Sequence, residues 1–237
     1  MARLGVNIDH IATLREARKT QAPLPLQGAF ICEKAGADSI VAHLREDRRH
    51  IKEKDLILLR HNIRTRLNLE MSTAKDVVSV ACKVRPDRAT LVPEKRRELT
   101  TEGGLDVVSN SVRIKEVSRK LSKNGIEVSL FIDPDKRQID RTAMLGISVI
   151  ELHTGRYANA RSAQERKRNL TQITQAAVYA RNKGIRVSAG HGLDYRNIAA
   201  IAALKMFEEF NIGYSIICYA LFVGLEQAVR KMKSLVR

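Results

Sequence analysis

Eight short apolar runs, each followed by a stretch with helical spacing, recur from one end of the chain to the other. The runs fall at 4–9, 39–44, 66–71, 88–93, 127–132, 149–154, 186–190 and 211–217. The helical patterns occupy 26–35, 55–64, 73–84, 112–124, 138–145, 163–182, a short piece near 197–203, and 221–235. Short apolar runs bounded by turn residues read as strands buried on both faces, the condition of a parallel sheet covered by helices. Gly36, Gly125, Gly146 and Gly184 each stand between a helical stretch and the next strand, where a helix stop belongs. Eight consecutive strand–helix units predict the α/β class and a TIM-type (β/α)8 barrel, with extra helices and a lid loop after the fourth strand. The 237 residues suit one barrel, which runs to about 200–250 residues, so one catalytic domain over 1–237 is expected. The rival architecture, an open doubly wound sheet, carries a glycine-rich turn after its first strand. Here that strand ends in Asn7-Ile8-Asp9-His10.

Alternation within the strands assigns their faces. Val6 and Ile8 share one parity, Asn7 and Asp9 the other; Leu67 and Leu69 alternate with Asn68 and Glu70, and Ile150 and Leu152 with Glu151 and His153. Val128, Leu130 and Ile132 alternate with Ser129, Phe131 and Asp133. The apolar set suits the side facing the helices, so the polar set points into the barrel. Buried carboxylates are costly unless paired or hydrogen-bonded, yet several strands end in them. His43 and Arg45 close the second strand and Gly190-His191-Gly192 the seventh. All of these belong to the C-terminal rim, where barrels build their active sites.

Histidines His10, His43 and His191 with carboxylates Glu70 and Glu151 are equipment for repeated proton transfer. Histidine titrates near neutrality, and an apolar setting raises a carboxyl toward it. No nucleophile elbow, HExxH or cysteine cluster is present, so neither a serine hydrolase nor a metal centre is expected. Arg45, Arg48, Arg49 and His50 after the second strand, and the glycines at 190, 192 and 213, suit a phosphate held by cations and backbone N–H groups. The long stretch 94–108, containing Gly103-Gly104, reads as a lid with a glycine hinge.

Charge supplies the one competing signal. Lys and Arg number 42 against 26 Asp and Glu, a net charge of +16, which attracts anions of any kind, nucleic acid included. The basic residues are spread along the chain with no arm or tail, and aromatics make up 4% with no Trp, which argues against base stacking. A basic enzyme surface with no specific nucleic-acid partner is therefore expected. Cys32, Cys82 and Cys218 lack CxxC spacing and read as buried thiols in a reducing compartment. The first residues run directly into strand sequence, and no apolar stretch is long enough for a membrane; a cytoplasmic protein is expected.

The motifs resemble the pyridoxine 5′-phosphate synthase family of vitamin B6 biosynthesis. The matching stretches run in family order over nearly the whole chain: Gly5 to Arg15, His43 to His50, Arg66 to Met71, Leu91 to Arg96, Leu99 to Val107, Glu151 to Gly155, Ala189 to Leu193 and Asn211-Ile212-Gly213. The resemblance implies a transferase-type, ring-closing condensation of 1-deoxy-D-xylulose 5-phosphate with 3-amino-2-oxopropyl phosphate, giving pyridoxine 5′-phosphate, phosphate and water. It implies acid–base catalysis with no cofactor and no metal, and assembly as a homooctamer. It places proton acceptors at His43 and Glu70, the proton donor at His191 and a transition-state-stabilising carboxylate at Glu151. It places Asn7, Arg18, Gly192, Gly213 and Tyr214 on the amino ketone phosphate, and Asp9, His10, Arg45, His50 and Thr100 on the deoxyxylulose phosphate. This chain departs from the family at Tyr214, where His is usual, at Tyr219, where Arg is usual, and at Lys19, where Gly is usual. Another phosphate-handling barrel enzyme and a basic nucleic-acid-binding protein are the alternative readings.

Overall fold

Strand follows helix with a regularity that leaves the sheet one closed solution. The computed structural model describes residues 2–94 and 103–236. In chain order the elements are β1 (Arg3–Asn7), α1 (Asp9–Arg18), α2 (Pro25–Lys34), β2 (Ser39–Leu44), α3 (Glu53–Asn62), β3 (Arg66–Met71), α4 (Lys75–Val84), β4 (Arg88–Leu91), α5 (Ser111–Lys123) and β5 (Glu127–Ile132). They continue with α6 (Lys136–Met144), β6 (Val149–His153), α7 (Gly155–Ala158), α8 (Ala163–Asn182), β7 (Arg186–Gly190), α9 (Ile198–Ala202), β8 (Glu209–Ile212), α10 (Tyr214–Val223) and α11 (Leu225–Leu235). The strands pair in parallel, each with the next, and β8 closes on β1. This is the expected (β/α)8 barrel. Among the described residues no helix is long and apolar enough to cross a membrane.

The face assignment holds. Leu4, Val6, Ile40, Leu44, Leu67 and Leu69 pack with Ile11, Ala29, Leu56 and Leu59 of the surrounding helices in one apolar layer. The other parity points inward: in register, His43 lies beside Glu70, Glu70 beside Thr90, Phe131 beside Glu151, and Gly190 beside Asn211. The barrel interior is thus polar for much of its depth, and interior groups satisfy one another, as where Thr90 Oγ1 donates to Asn68 Oδ1 at 2.9 Å.

Three expectations are corrected. The pattern continues the first strand to Asp9, but β1 ends at Asn7 and Asp9 opens α1, a helix absent from the periodicity reading. The run 211–217 reads as one strand because it is apolar and β-branched; β8 ends at Ile212, and Gly213 starts α10 instead. Such runs are ambiguous between strand and buried helix, and here the tertiary frame decides. Of the three cysteines only Cys32 is buried, its thiol pushed up to about 12 by burial, while Cys82 and Cys218 are half-exposed. The four glycine helix stops do take positive φ, between 72° and 98°. Lys19 also takes φ 50°, a left-handed backbone that explains why glycine is the usual residue there.

The far end of the barrel carries a ring of charges at strand starts. Arg3, Arg66, Arg88 and Arg186 meet Glu127 and Glu209; Arg88 Nε lies 2.7 Å from Glu127 Oε2 and Arg3 Nε 3.1 Å from Glu209 Oε2. Burial works against the Glu127 charge, but Arg186, Arg88 and Arg66 outweigh it and hold the carboxyl down to about 2. A depressed carboxyl adds stability above its unfolded value, and that stability disappears as pH falls toward the folded value. Glu127→Gln is therefore expected to lower stability at pH 7 by roughly 2–3 kcal/mol. It should also flatten the acid side of the stability profile between about pH 5 and pH 2. Denaturant melts across that range check it, and an unchanged acid slope would count against the ring.

Candidate active site

The inward residues at the strand ends meet across the mouth opposite this ring. Asp9 and Asn7 are bonded reciprocally: Asn7 Nδ2 donates to Asp9 Oδ2, and Asp9 N–H to Asn7 Oδ1, both at 2.9 Å. The second Asp9 oxygen accepts the His43 backbone N–H at 2.8 Å. Burial pushes the Asp9 carboxyl up to about 7 against these hydrogen bonds and the Arg45 charge. His43 projects from β2 beside Glu70 of β3, Nδ1 lying 3.8 Å from Glu70 Oε2. Burial, followed by the neighbouring His50, Arg45 and Arg49, pushes His43 down to about 3, so its imidazole is neutral and ready to accept a proton. Glu70 is raised well above the carboxylate range by burial first, then by Glu151 and Asp9.

Glu151 faces the same space from β6. Asn211 of β8 donates to its Oε2 at 2.6 Å, and its Oε1 lies 2.1 Å from where a Cβ on Gly190 would sit. Glycine at 190 is what gives this carboxyl room. Burial is the main reason that Glu151 rises to about 7. Burial raises all three of Asp9, Glu70 and Glu151, and at Glu70 the like charges of Glu151 and Asp9 raise it further.

The phosphate-type groups ring this cluster. Arg45 is buried directly after β2. His50 accepts the Ile51 N–H on Nδ1 at 2.8 Å, which leaves its neutral ring carrying the proton on Nε2. His10, second residue of α1, packs edge-on against Tyr214 with ring centroids 5.2 Å apart. Gly213 caps α10, and a Cβ there would sit 2.8 Å from Asn7 Cβ; glycine lets the end of β8 abut β1. The N-terminal end of α10 brings a positive helix dipole to the mouth. Tyr214, its first residue, is 68% exposed. His191 and Gly192 turn the chain after β7 through φ 77° and 78°, and Thr154 Oγ1 secures the turn by donating to the Gly190 and His191 carbonyls, 2.7 and 2.6 Å away. Burial, then His153, pushes His191 down to about 4.

His43, Glu70, Glu151, His191, Asn7, Asp9, His10, Arg45, His50, Gly192, Gly213 and Tyr214 therefore all belong to the strand ends and loops of one rim. Arg18 stands apart from the strand ends, in the last turn of α1. It is exposed at the far end of α1, nine residues beyond Asp9 and so about 13 Å along the axis. Thr100 lies outside the described residues, as do positions 95–102 of the expected lid. The described end of that stretch is packed down: Leu105 N–H donates to the Phe131 carbonyl at 2.7 Å. A Cβ on Gly104 would come within 2.0 Å of the Asp133 nitrogen, so this glycine serves close packing against β5 rather than a hinge. Tyr219 packs at a tilt against Tyr195, centroids 4.7 Å apart.

Three polar residues enter the site without having been given a role in it from sequence. Glu94 carries Oε1 3.4 Å from Arg45 Nε and Oε2 4.0 Å from His43 Nε2. Asp133 and His153 form a pair beside His191. Inward parity marked the last two, and Glu94 was marked only as part of the Leu91 to Arg96 stretch, with no role given to it. As a set of ligands, Asp9, His43 and Glu70 bring one atom each within 4.8 Å of one another. Two carboxylates and an imidazole at that spacing suit a divalent cation as well as proton transfer, although both Asp9 oxygens already accept hydrogen bonds.

The sequence profile described as "Pyridoxal phosphate biosynthesis protein PdxJ" matches residues 4–237. The chain is 54% identical over 233 residues to a pyridoxine 5′-phosphate synthase of a Synechococcus species, covering 98% of each chain. It is 51% identical over 236 residues to the pyridoxine 5′-phosphate synthase of Coxiella burnetii, covering 100% of this chain and 98% of that one. Among solved structures it resembles phosphoribosyl anthranilate isomerase of Thermotoga maritima (TM-score 0.64, 13% identity, 100% of this chain and 98% of that one). It also resembles KGPDC of Streptococcus mutans (TM-score 0.66, 14% identity, 100% and 97%). At those identities the likeness concerns the barrel alone.

Proposed function

Because the chain belongs to the PdxJ family, whose relatives at 51–54% identity are pyridoxine 5′-phosphate synthases, we propose that it condenses 1-deoxy-D-xylulose 5-phosphate with 3-amino-2-oxopropyl phosphate to pyridoxine 5′-phosphate, phosphate and water. The observation that carries this reading is the convergence of His43, Glu70, Glu151 and His191 on one barrel mouth. The same reading includes small phosphorylated substrates and a homooctameric assembly, taken from the resemblance, and a cytoplasmic location, expected from the absence of a long apolar stretch in the sequence.

The chemistry needs an amine and a ketone to join as an imine. Phosphate and water then leave, and a carbon–carbon bond closes the ring. Each stage moves protons. His43, neutral and adjacent to Glu70, accepts one without first shedding its own. Glu70, with its carboxyl raised well above its ordinary value by burial and by Glu151 and Asp9, both takes and returns protons within a turnover. Glu151, braced by Asn211, sets its carboxylate charge against the developing cation. His191 delivers a proton to the leaving oxygen. Arg45, His50 and His10 hold one phosphate; Asn7, Gly192 and the Gly213–Tyr214 helix start hold the other. Tyr214 keeps its backbone N–H at that helix start, so replacing the usual histidine there affects affinity more than reaction type.

Incubating the purified protein with the two substrates and following pyridoxine 5′-phosphate by absorbance and mass tests the proposal. Product without added metal is expected. A folded protein that yields none would overturn the reading and return attention to other phosphate-handling barrel chemistries.

A further inference from the structure

His191 is asked to give up a proton from a place that discourages it from holding one. Burial and the neighbouring His153 push it down to about 4, so a free His191 would be empty at neutral pH. Buried acids and bases in this position work through a partner that fixes the ring and favours its charged form. The residues that surround His191 supply one.

His153 ends β6 with its ring buried, 5.0 Å from that of His191, the planes crossing at 62°. Phe131 of β5 lies against both rings, at 5.2 and 6.3 Å. Gly155 lets the two imidazoles approach. A Cβ there would stand 2.5 Å from His153 Nε2 and 3.3 Å from His191 Cδ2, so any side chain at 155 would wedge between them. On its other side His153 Nδ1 lies 3.0 Å from Asp133 Oδ1. Asp133 is itself held by the Gly104 N–H, and its carboxyl stays below the usual range chiefly through His153. It is an anion at neutral pH, so the hydrogen bond requires the proton on Nδ1 of His153. That leaves Nε2 as the remaining polar atom of the ring, and Nε2 is buried without a partner.

We infer that Asp133 and His153 are positioning residues for His191: Asp133 fixes the Nδ1–H of His153, and His153 Nε2 thereby becomes a fixed acceptor for a ring N–H of His191, deciding which His191 nitrogen faces the substrate. The line runs carboxylate, imidazole, imidazole, and it follows the same logic by which a buried acid orients a catalytic base. A charged His153 would push His191 down, but with its proton on Nδ1 towards Asp133 the ring turns an acceptor to His191, and the negative end of the line then favours the protonated form of His191. The charged and titratable groups around it are Asp133 at the end of β5, Arg156 of α7 acting on Asp133, Glu151 of β6 behind Gly190, and His191 itself. The inference rests on the reading of His191 as the proton donor.

Asp133→Asn keeps the shape and removes the charge; His153→Phe keeps the ring packing and removes the acceptor; His153→Gln restores an acceptor. Asp133→Asn and His153→Phe are expected to lower kcat on the order of tenfold, to leave both KM values within about twofold, and to move the basic limb of kcat to lower pH by about half a unit or more. His153→Gln should recover part of the loss. Variants that melt lower but keep kcat and its pH profile would overturn the inference and leave the pair as packing under Phe131. Proton NMR of the histidine rings gives a readout independent of turnover. The His191 midpoint should fall in Asp133→Asn, and an unmoved midpoint overturns the inference even if the wild-type protein makes no product. A wild type without product and with a shifted His191 midpoint would instead retain the pairing and sink the assigned reaction.

Discussion

Glu70→Gln is expected to lower kcat on the order of a thousandfold while both KM values stay within a few fold. The amide matches the carboxylate in shape and keeps hydrogen-bonding capacity, so binding geometry survives. What it loses is the ability to take up and return a proton at the centre of the mouth, 3.8 Å from His43 Nδ1. A second consequence has the opposite sign. Burial, Glu151 and Asp9 raise the Glu70 carboxyl well above its ordinary value, so in the folded state it resists ionisation. A raised acid binds its proton more tightly when folded; stability therefore falls as pH rises from the unfolded value through the folded one. Glutamine stays neutral throughout and escapes that penalty. The variant should melt higher than wild type above neutral pH and at nearly the same temperature near pH 4. Product formation and thermal melts at the two pH values check both halves. Near-normal turnover would remove Glu70 from the chemistry, and an unchanged melt at high pH would show that its charge is better solvated than its setting suggests.

Arg15→Ala carries the largest expected loss of stability. Arg15 is buried in α1 and its guanidinium grips Asp55 through both nitrogens, NH1 to Oδ1 at 2.7 Å and NH2 to Oδ2 at 2.9 Å. NH2 also donates to the His50 carbonyl at 2.9 Å, and Asp55 Oδ2 accepts the Lys52 N–H at the start of α3. One side chain thus ties α1, the loop bearing Arg45 and His50, and the first turn of α3. Removing it leaves Asp55 buried opposite an apolar methyl, a loss of about 3–5 kcal/mol for a buried pair, equivalent to a melting temperature lower by about 10 °C in a chain this long. The loop would lose its anchor as well, so KM for the phosphate held by Arg45 and His50 should rise severalfold. Arg15→Lys should fall between, because an ammonium cannot make the planar two-point contact. A melting point within about 2 °C of wild type would mean that water enters the space and solvates Asp55.

Much of the architecture was legible because it is periodic. Strands β2, β3, β5 and β7 coincide with the runs at 39–44, 66–71, 127–132 and 186–190, and α8 with 163–182. The failures share a cause. In 211–217 the side chains Ile212, Ile216 and Ile217 are equally at home in a strand or a buried helix, and the turn at Gly213 is imposed by the approach of β8 to Asn7. At Asp9 the strand pattern continues two residues too far, because Ile8 is buried whether it ends a strand or precedes a helix.

The candidate site divides along the same line. Alternation alone placed Glu70, Glu151 and His153 inside, and the family motifs assigned roles to His43, Glu70, Glu151 and His191, because a two-residue period and a run of specific residues are properties of neighbouring positions. Sequence could not bring Glu94 to His43 and Arg45, or join Asp133 to His153 and His191. Nor could it foresee that Arg3, Arg66, Arg88, Glu127, Arg186 and Glu209, each the first residue of its strand, would close a ring of charges at the opposite end. Those contacts join residues far apart in the chain, and they exist because the strands pair in sequence into one barrel that β8 closes on β1. A strand's own pattern fixes which face a residue takes; only closure of the barrel fixes which residues from other strands share that face at the same height.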